Sequence, residues 1–200
     1  MKKKSADSPA ISMTSIGAGV FTINNFLSRD ECNSFVTDSE SIGFSEAVIS
    51  TDDGDRLMKE ARNNDRILYD NQQLSARLFE RARPFLPAEI DGWRPSGFNE
   101  RFRFYRYTPG QYFKWHQDGS FRRSEREESF LTFIMYLNDD YTGGATQFAW
   151  EAVQPKAGTV LVFPHRLRHQ GAPVLSGTKY VLRTDVMYAE SLPATTATGK

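Results

Sequence analysis

The spacing of apolar and polar residues divides the chain into two regimes. From Asn25 to about Pro87 the apolar residues recur at helical intervals. Ser28 and Glu31 have capping-box spacing, and Cys32, Phe35 and Val36 follow on one side, which predicts a short amphipathic helix. Leu74, Leu78 and Phe79 form one stripe of a second helix predicted from Asn71 to Arg83, with Pro84 ending it. Between the two, Phe44 to Ile49 reads as a strand and Thr51 to Asp55 as an acidic, glycine-containing loop.

From Phe98 the pattern changes to short runs of aromatic and β-branched residues. Arg101 to Tyr107, Gln111 to Trp115, Ser129 to Leu137, Thr146 to Trp150, Thr159 to Phe163 and Thr178 to Tyr188 are predicted strands. Thr108-Pro-Gly, Asp139 to Gly144, Pro155 to Gly158 and Pro173 to Gly177 are the breaks. Many short strands without intervening helices predict a mainly β (α+β) fold, a double-sheet jelly roll carried on supporting N-terminal helices. Residues 1–20 are expected to be a largely disordered segment and 191–200 a flexible tail. A single domain is expected over 21–190, with its jelly-roll core at 98–190.

Charge narrows the functional classes. The chain of 200 residues carries 25 Lys and Arg against 25 Asp and Glu, so no broad positive field exists to bind nucleic acid or an anionic membrane. No apolar run is long enough to span a bilayer, and the polar, lysine-rich start does not read as a secretory leader. The lone Cys32 allows no internal disulfide, which together with these features leads us to expect a cytoplasmic protein. Oligomeric state is not legible.

All three histidines fall in the β half. His116 and Asp118 flank Gln117, and extended residues two apart project to the same side, so an imidazole and a carboxylate can reach one divalent ion. His165 and His169 are the imidazoles available as a third ligand. Two histidines and one carboxylate on one face of an octahedron are the arrangement of non-haem Fe(II) oxygenases.

The ordered motifs around this corner resemble the prolyl 4-hydroxylase group of Fe(II)- and 2-oxoglutarate-dependent dioxygenases. The resemblance runs from about Arg101 to Tyr188. It is carried by Tyr107-Thr-Pro-Gly-Gln-Tyr112, His116-Gln-Asp118, Tyr136-Leu-Asn138, Gly143-Gly-Ala-Thr146, Gly158-Thr-Val-Leu-Val-Phe163, His169-Gln-Gly-Ala-Pro-Val174 and Gly177-Thr-Lys179, with weaker likeness through Arg62-Asn-Asn-Asp-Arg66. It implies Fe(II) held by His116, Asp118 and His169, with 2-oxoglutarate as co-substrate, O2 as oxidant and ascorbate as a possible reductant. His169, not His165, has the family spacing to Pro173, Val174 and Lys179.

The resemblance also assigns the 2-oxoglutarate pocket. A buried carboxylate of the co-substrate needs a fixed cation, for which the family pattern offers Lys179, with Tyr136, Thr132 and Tyr107 beside it. Arg183, on the same strand face as Lys179, is a rival for that anion, although Asp185 offers it an ion pair. Phe104, Tyr112, Phe113, Trp115, Phe133 and Phe163 are candidate pocket walls, and Phe121 to Glu128 a candidate lid.

Arg103, Tyr105, Arg62 and Arg66 are candidate substrate contacts. The activity implied is hydroxylation of a C–H bond with release of succinate and CO2, of prolyl type on a peptide or protein. A free amino acid or small polar metabolite is the alternative substrate. From other classes, a non-catalytic metal- or carboxylate-binding jelly roll and a hydrolytic zinc site stay open, the latter leaving Lys179 without a use.

Overall fold

The structure, a computed structural model, describes residues 9–51 and 54–190. Its frame is a ten-stranded sheet facing a four-stranded one. Across the large sheet the strands Ser12–Gly17, Val20–Asn24, Val160–Pro164, Glu127–Tyr136, Lys179–Glu190, Arg101–Tyr107, Asp65–Asp70 and Ser45–Glu46 follow in that order. Trp93–Phe98 pairs with the far half of the long Lys179–Glu190 strand, and Arg122–Ser124 with Glu127–Tyr136. The small sheet orders Ala152–Val153, Thr146–Phe148, His169–Gly171 and Phe113–His116. Every pairing between these strands is antiparallel, the architecture of a jelly roll.

Strand alternation separates two cores. Phe102, Phe104, Phe133, Met135, Val162 and Leu182 point to one face of the large sheet, where they pack against the helices α1 (Arg29–Ile42) and α2 (Gln72–Ala82). Tyr105, Tyr107, Tyr136, Leu161, Phe163 and Val181 point the other way, toward the small sheet. The helices therefore brace one face and leave the other free to build a site. Leu74, Leu78, Phe79 and Ala82 form the buried stripe of α2, and each large side chain so buried contributes about 1.5–3 kcal/mol.

Helix α1 begins where its capping box predicts, and α2 within one residue of its expected start. Ser28 Oγ accepts from the Glu31 amide at 3.1 Å while Glu31 Oε2 accepts from the Ser28 amide at 2.9 Å. Asn71 Oδ1 accepts from the Leu74 amide at 2.8 Å, and a 3-10 turn over Arg83–Phe85 ends α2 at Pro84. Arg81 of α2 forms a 2.8 Å ion pair with Glu31 of α1.

Several boundaries differ from expectation. Residues 12–17, assigned to a disordered segment, form an edge strand on Val20–Asn24. The strand expected over Phe44 to Ile49 is two short pieces, Ser45–Glu46 and Ile49–Thr51; the second pairs with Gly54–Arg56, where an acidic loop was expected. The break at Pro173 to Gly177 contains the strand Val174–Ser176, paired with Thr142–Gly143. Polar edge strands carry too few apolar residues to register as strands in sequence; pairing with a neighbour makes them. The tail at 191–200 and residues 1–8 lie outside the described residues.

Candidate active site

The two sheets bring three chain-distant ligands to one point. Phe113–His116 and His169–Gly171 are neighbours in the small sheet, with His116 opposite His169 in register. Asp118 follows just past the first strand, and its amide donates to the His165 carbonyl at 2.9 Å. One ligand atom from each of His116, Asp118 and His169 lies within 4.8 Å of the others. His116 Nε2 is 3.5 Å from Asp118 Oδ1, and His169 Nε2 is 3.7 Å from Oδ2.

The imidazoles are oriented by their other nitrogens. His116 Nδ1 lies 2.7 Å from the Lys114 carbonyl and His169 Nδ1 2.9 Å from the Leu167 carbonyl. A carbonyl only accepts, so each Nδ1 carries the proton and each Nε2 offers a lone pair toward Asp118. Burial pushes His169 down to about 4, keeping it neutral near pH 7. For Asp118 burial pushes up, but the Arg183 guanidinium foremost and the two imidazoles hold its carboxyl well below the usual range. Neutral nitrogens and an ionised carboxylate are the donor forms a borderline divalent cation requires, so these residues fit Fe(II).

A cavity between the sheets is lined by these ligands and by Lys179, Tyr136, Tyr107, Tyr105, Thr146 and Arg183. Lys179 is buried, donates to the Gly144 carbonyl at 2.7 Å and lies 5.3 and 5.5 Å from the ring centres of Tyr107 and Tyr136. No carboxylate among the described residues pairs with it, and burial pushes it down to about 7. A buried ammonium lacking a counter-ion fits an incoming carboxylate, which is what 2-oxoglutarate would present. Tyr136 places its hydroxyl 2.7 Å from Thr146 Oγ1 in the same cavity.

The glycine pair ahead of Thr146 is required by this packing. Gly143 and Gly144 have φ of +75° and +66°, and a Cβ on Gly144 would lie 3.2 Å from Lys179 Cδ.

Other candidates are placed elsewhere. Thr132 is buried outside the cavity lining and donates to Asp118 Oδ2 at 2.6 Å, so the structure places it against Asp118 and not beside Lys179. Arg103 turns to Asp185 at 3.1 Å, and Arg66 donates to the Val48 carbonyl at 3.2 Å; neither lines the cavity. Tyr105 does line it. Burial pushes its phenol up, but Arg183, Arg62 and Arg103 outweigh that and leave it below its ordinary value. Arg62 is buried, donates from Nε and Nη2 to Asn64 Oδ1, and stacks 5.0 Å above Tyr105 and 4.3 Å above Phe113.

Of the expected walls only Phe113 lines the cavity. Phe104 and Phe133 belong to the helix-side core because they fall on the opposite strand face, and Phe163 packs edge-on against His169. Trp115 is exposed, and Tyr112 sits over the Glu60 carbonyl. The expected lid is a hairpin tied to the large sheet, with Arg122 paired to Glu128 and Arg123 to Glu127.

Two contacts were missed. Arg183 Nη1 lies 2.8 Å from Asp118 Oδ1, a contact the sequence does not announce, and Nη2 makes the anticipated pair with Asp185 Oδ1 at 3.2 Å, while the residue also lines the cavity. Its place on the Lys179 face was readable, but its nearness to Asp118 depends on the loop after His116. His165, in the turn after Val160–Pro164, is buried, with its ring nitrogens 2.8 Å from Thr132 Oγ1 and 2.9 Å from Ser129 Oγ.

Comparison with known proteins agrees with this geometry. Residues 102–184 match the 2OG-Fe(II) oxygenase superfamily. A putative prolyl 4-hydroxylase of Acanthamoeba polyphaga mimivirus is 26% identical over 183 residues, covering 80% of this chain and 71% of its own. The 2OG complex of the viral collagen prolyl hydroxylase from Paramecium Bursaria Chlorella virus-1 superposes with a TM-score of 0.63 at 23% identity, over 86% of this chain and 97% of that one. A Trichoplax adhaerens prolyl hydroxylase in complex with a hypoxia inducible factor oxygen degradation domain peptide gives a TM-score of 0.64 at 18% identity, over 84% and 83%. At these identities the structural likeness speaks for the fold.

Proposed function

We propose that this chain, whose residues 102–184 match the 2OG-Fe(II) oxygenase superfamily, is an oxygenase of that kind that hydroxylates a prolyl residue of a peptide or protein. The observation that carries the reading is the sharing of one cavity by the His116, Asp118 and His169 ligand set and a buried ammonium without a counter-ion. A non-catalytic binding module needs no such pairing, and a hydrolytic zinc site has no use for Lys179. The mimivirus relative, named a putative prolyl 4-hydroxylase, supports the prolyl-type reading.

Iron, when bound with 2-oxoglutarate, supplies the oxidation of an unactivated C–H bond by O2 while the co-substrate becomes succinate and CO2. The chain's own residues do the rest. His116 and His169 present Nε2 and Asp118 its carboxylate; Lys179, Tyr136 and Thr146 take the far carboxylate of 2-oxoglutarate. Tyr107, Phe113, Ile134 and Val181 keep water from the cavity. Arg62, whose guanidinium lies over Tyr105 and Phe113, is the remaining candidate for substrate contact at the rim, although it is buried, bonded to Asn64 and outside the cavity lining. Arg103 and Arg66 are too committed to Asp185 and Val48 to reach a substrate without rearrangement. Ascorbate serves as reductant after uncoupled turnovers. No helix among the described residues is long and apolar enough to cross a membrane.

The test is anaerobic loading with Fe(II) and 2-oxoglutarate, a visible charge-transfer band, then O2 with and without proline-containing peptides. Succinate release stimulated by a peptide, with one added oxygen on proline, supports the proposal. Stimulation only by free amino acids moves the substrate to the small-molecule class. Neither band nor succinate from loaded protein rejects the enzyme.

A further inference from the structure

We infer that His165 is a positioning residue for the metal site: through Thr132 it holds the Asp118 carboxylate in the orientation that faces both imidazoles. The inference rests on reading His116, Asp118 and His169 as metal ligands.

With His165 neutral, the hydrogen-bond directions admit one consistent assignment. Thr132 Oγ1 lies 2.6 Å from Asp118 Oδ2 and 2.8 Å from His165 Nδ1, while His165 Nε2 lies 2.9 Å from Ser129 Oγ. Asp118 is ionised and can only accept, so Thr132 spends its proton there. The oxygen of Thr132 must then accept from His165 Nδ1–H, since a lone pair at Nδ1 would face another lone pair at 2.8 Å. His165 Nε2 is thereby left as an acceptor and takes the Ser129 hydroxyl proton. Ser129 Oγ in turn accepts the Phe121 amide at 2.8 Å. A directed chain runs from the Phe121 amide to the metal-binding carboxylate, and Ser129, Thr132 and His165 are all buried.

The chain meets Asp118 on the oxygen that Arg183 does not hold. Arg183 takes Oδ1 and Thr132 takes Oδ2, so the carboxylate plane is pinned from both ends. His165 reinforces this through its backbone carbonyl, which accepts the Asp118 amide. A hydroxyl free to rotate would hold a carboxylate loosely; His165 removes that freedom by fixing the direction in which Thr132 donates.

The experiment uses the full chain with cobalt(II) as a redox-stable probe, read by its absorption bands. Thr132→Val and His165→Phe should each weaken cobalt binding about 10–100-fold. The double variant should lose no more than the larger single loss, because both act through one chain. His165→Asn, whose amide nitrogen overlays Nδ1, should stay within about threefold of the parent. In the parent, nitrogen-15 NMR should show His165, identified by its loss in His165→Asn, protonated on Nδ1. Unchanged cobalt affinity in Thr132→Val, or an Nε2-protonated His165, overturns the proposal. A drop in melting temperature without a change in affinity reduces His165 to a packing residue. If His165→Phe does not fold, Thr132→Val and His165→Asn decide. A parent that takes up no cobalt removes the metal-site reading itself, and the positioning role with it, a different failure from intact parent binding insensitive to Thr132.

Discussion

Arg183 Nη1 lies 2.8 Å from Asp118 Oδ1 inside the protein, so the carboxylate offered to a metal is already paired with a cation. The same guanidinium bonds Asp185, and Asp185 is met from its other side by Arg103 at 3.1 Å. The four side chains form a charge-balanced row, Asp118, Arg183, Asp185 and Arg103, running from the ligand set to a partly exposed Arg103. Removing Arg183 leaves the buried Asp118 carboxylate without its cation, while Asp185 keeps Arg103.

Arg183→Met should therefore lower apo stability by about 3–5 kcal/mol, the usual cost of breaking a buried pair. A divalent ion would restore part of the missing positive charge at Asp118. Thermal melts with and without manganese(II) should show a larger metal-induced shift in the variant than in the parent. An equal or smaller shift would mean that Arg183 does not act on the ligand.

Lys179→Met should behave in the opposite sense. The folded lysine sits near 7 against an ordinary value of 10.5, so below about pH 10.5 the unfolded chain holds the proton more tightly and burial costs stability. Deleting the amine removes that cost and orphans the Gly144 carbonyl, for a net gain of about 1–3 kcal/mol at pH 7. The stabilisation that 2-oxoglutarate confers on the manganese-loaded parent should disappear. A variant that is destabilised yet still responds to 2-oxoglutarate would refute the anchor.

His169 sets an acid-side limit. Its folded pKa of about 4 lies below the ordinary 6.5, so between those values the unfolded chain binds the extra proton and stability falls as pH is lowered. By pH 4 the loss attributable to His169 reaches about 3 kcal/mol. Asp118, also depressed, adds a further loss once the pH falls below the ordinary carboxylate range. Urea titrations across pH 4–7 on the parent and on His169→Gln should show a shallower slope in the variant; identical slopes would assign the acid sensitivity elsewhere.

Gly144→Ala should cost about 1–3 kcal/mol from its positive φ and displace Lys179, which its Cβ would crowd. Calorimetry of 2-oxoglutarate binding should show weakened affinity for the co-substrate with metal affinity retained. An unaffected dicarboxylate site would show that the Lys179 position tolerates the shift.

The local rules carried a good part of the fold. The Ser28 and Glu31 box, the Asn71 cap and the Pro84 stop depend on neighbours within four residues, and all appear where the sequence places them. The aromatic and β-branched runs at Arg101–Tyr107 and Lys179–Glu190 are legible for a related reason: long buried strands need apolar side chains on both faces. The polar strand at Ser12–Gly17 and the short pieces around Ile49 were not legible, because pairing partners from elsewhere in the chain supply their stability.

At the site, the His116 and Asp118 corner and the Lys179, Val181, Arg183, Asp185 face follow from the two-residue period of extended chain, which holds at any position. What that period cannot supply is which strand lies across from which. His116 opposite His169, Arg183 against Asp118, and Thr132 behind the carboxylate are products of sheet order, joining residues 14 to 65 positions apart. The chain thus encodes by itself the ligand types, the cation and the faces they occupy. Only the closed pair of sheets sets Arg183 and Thr132 against Asp118 and leaves Lys179 in the cavity without a carboxylate partner among the described residues, because burial and charge pairing exist only once distant strands have met.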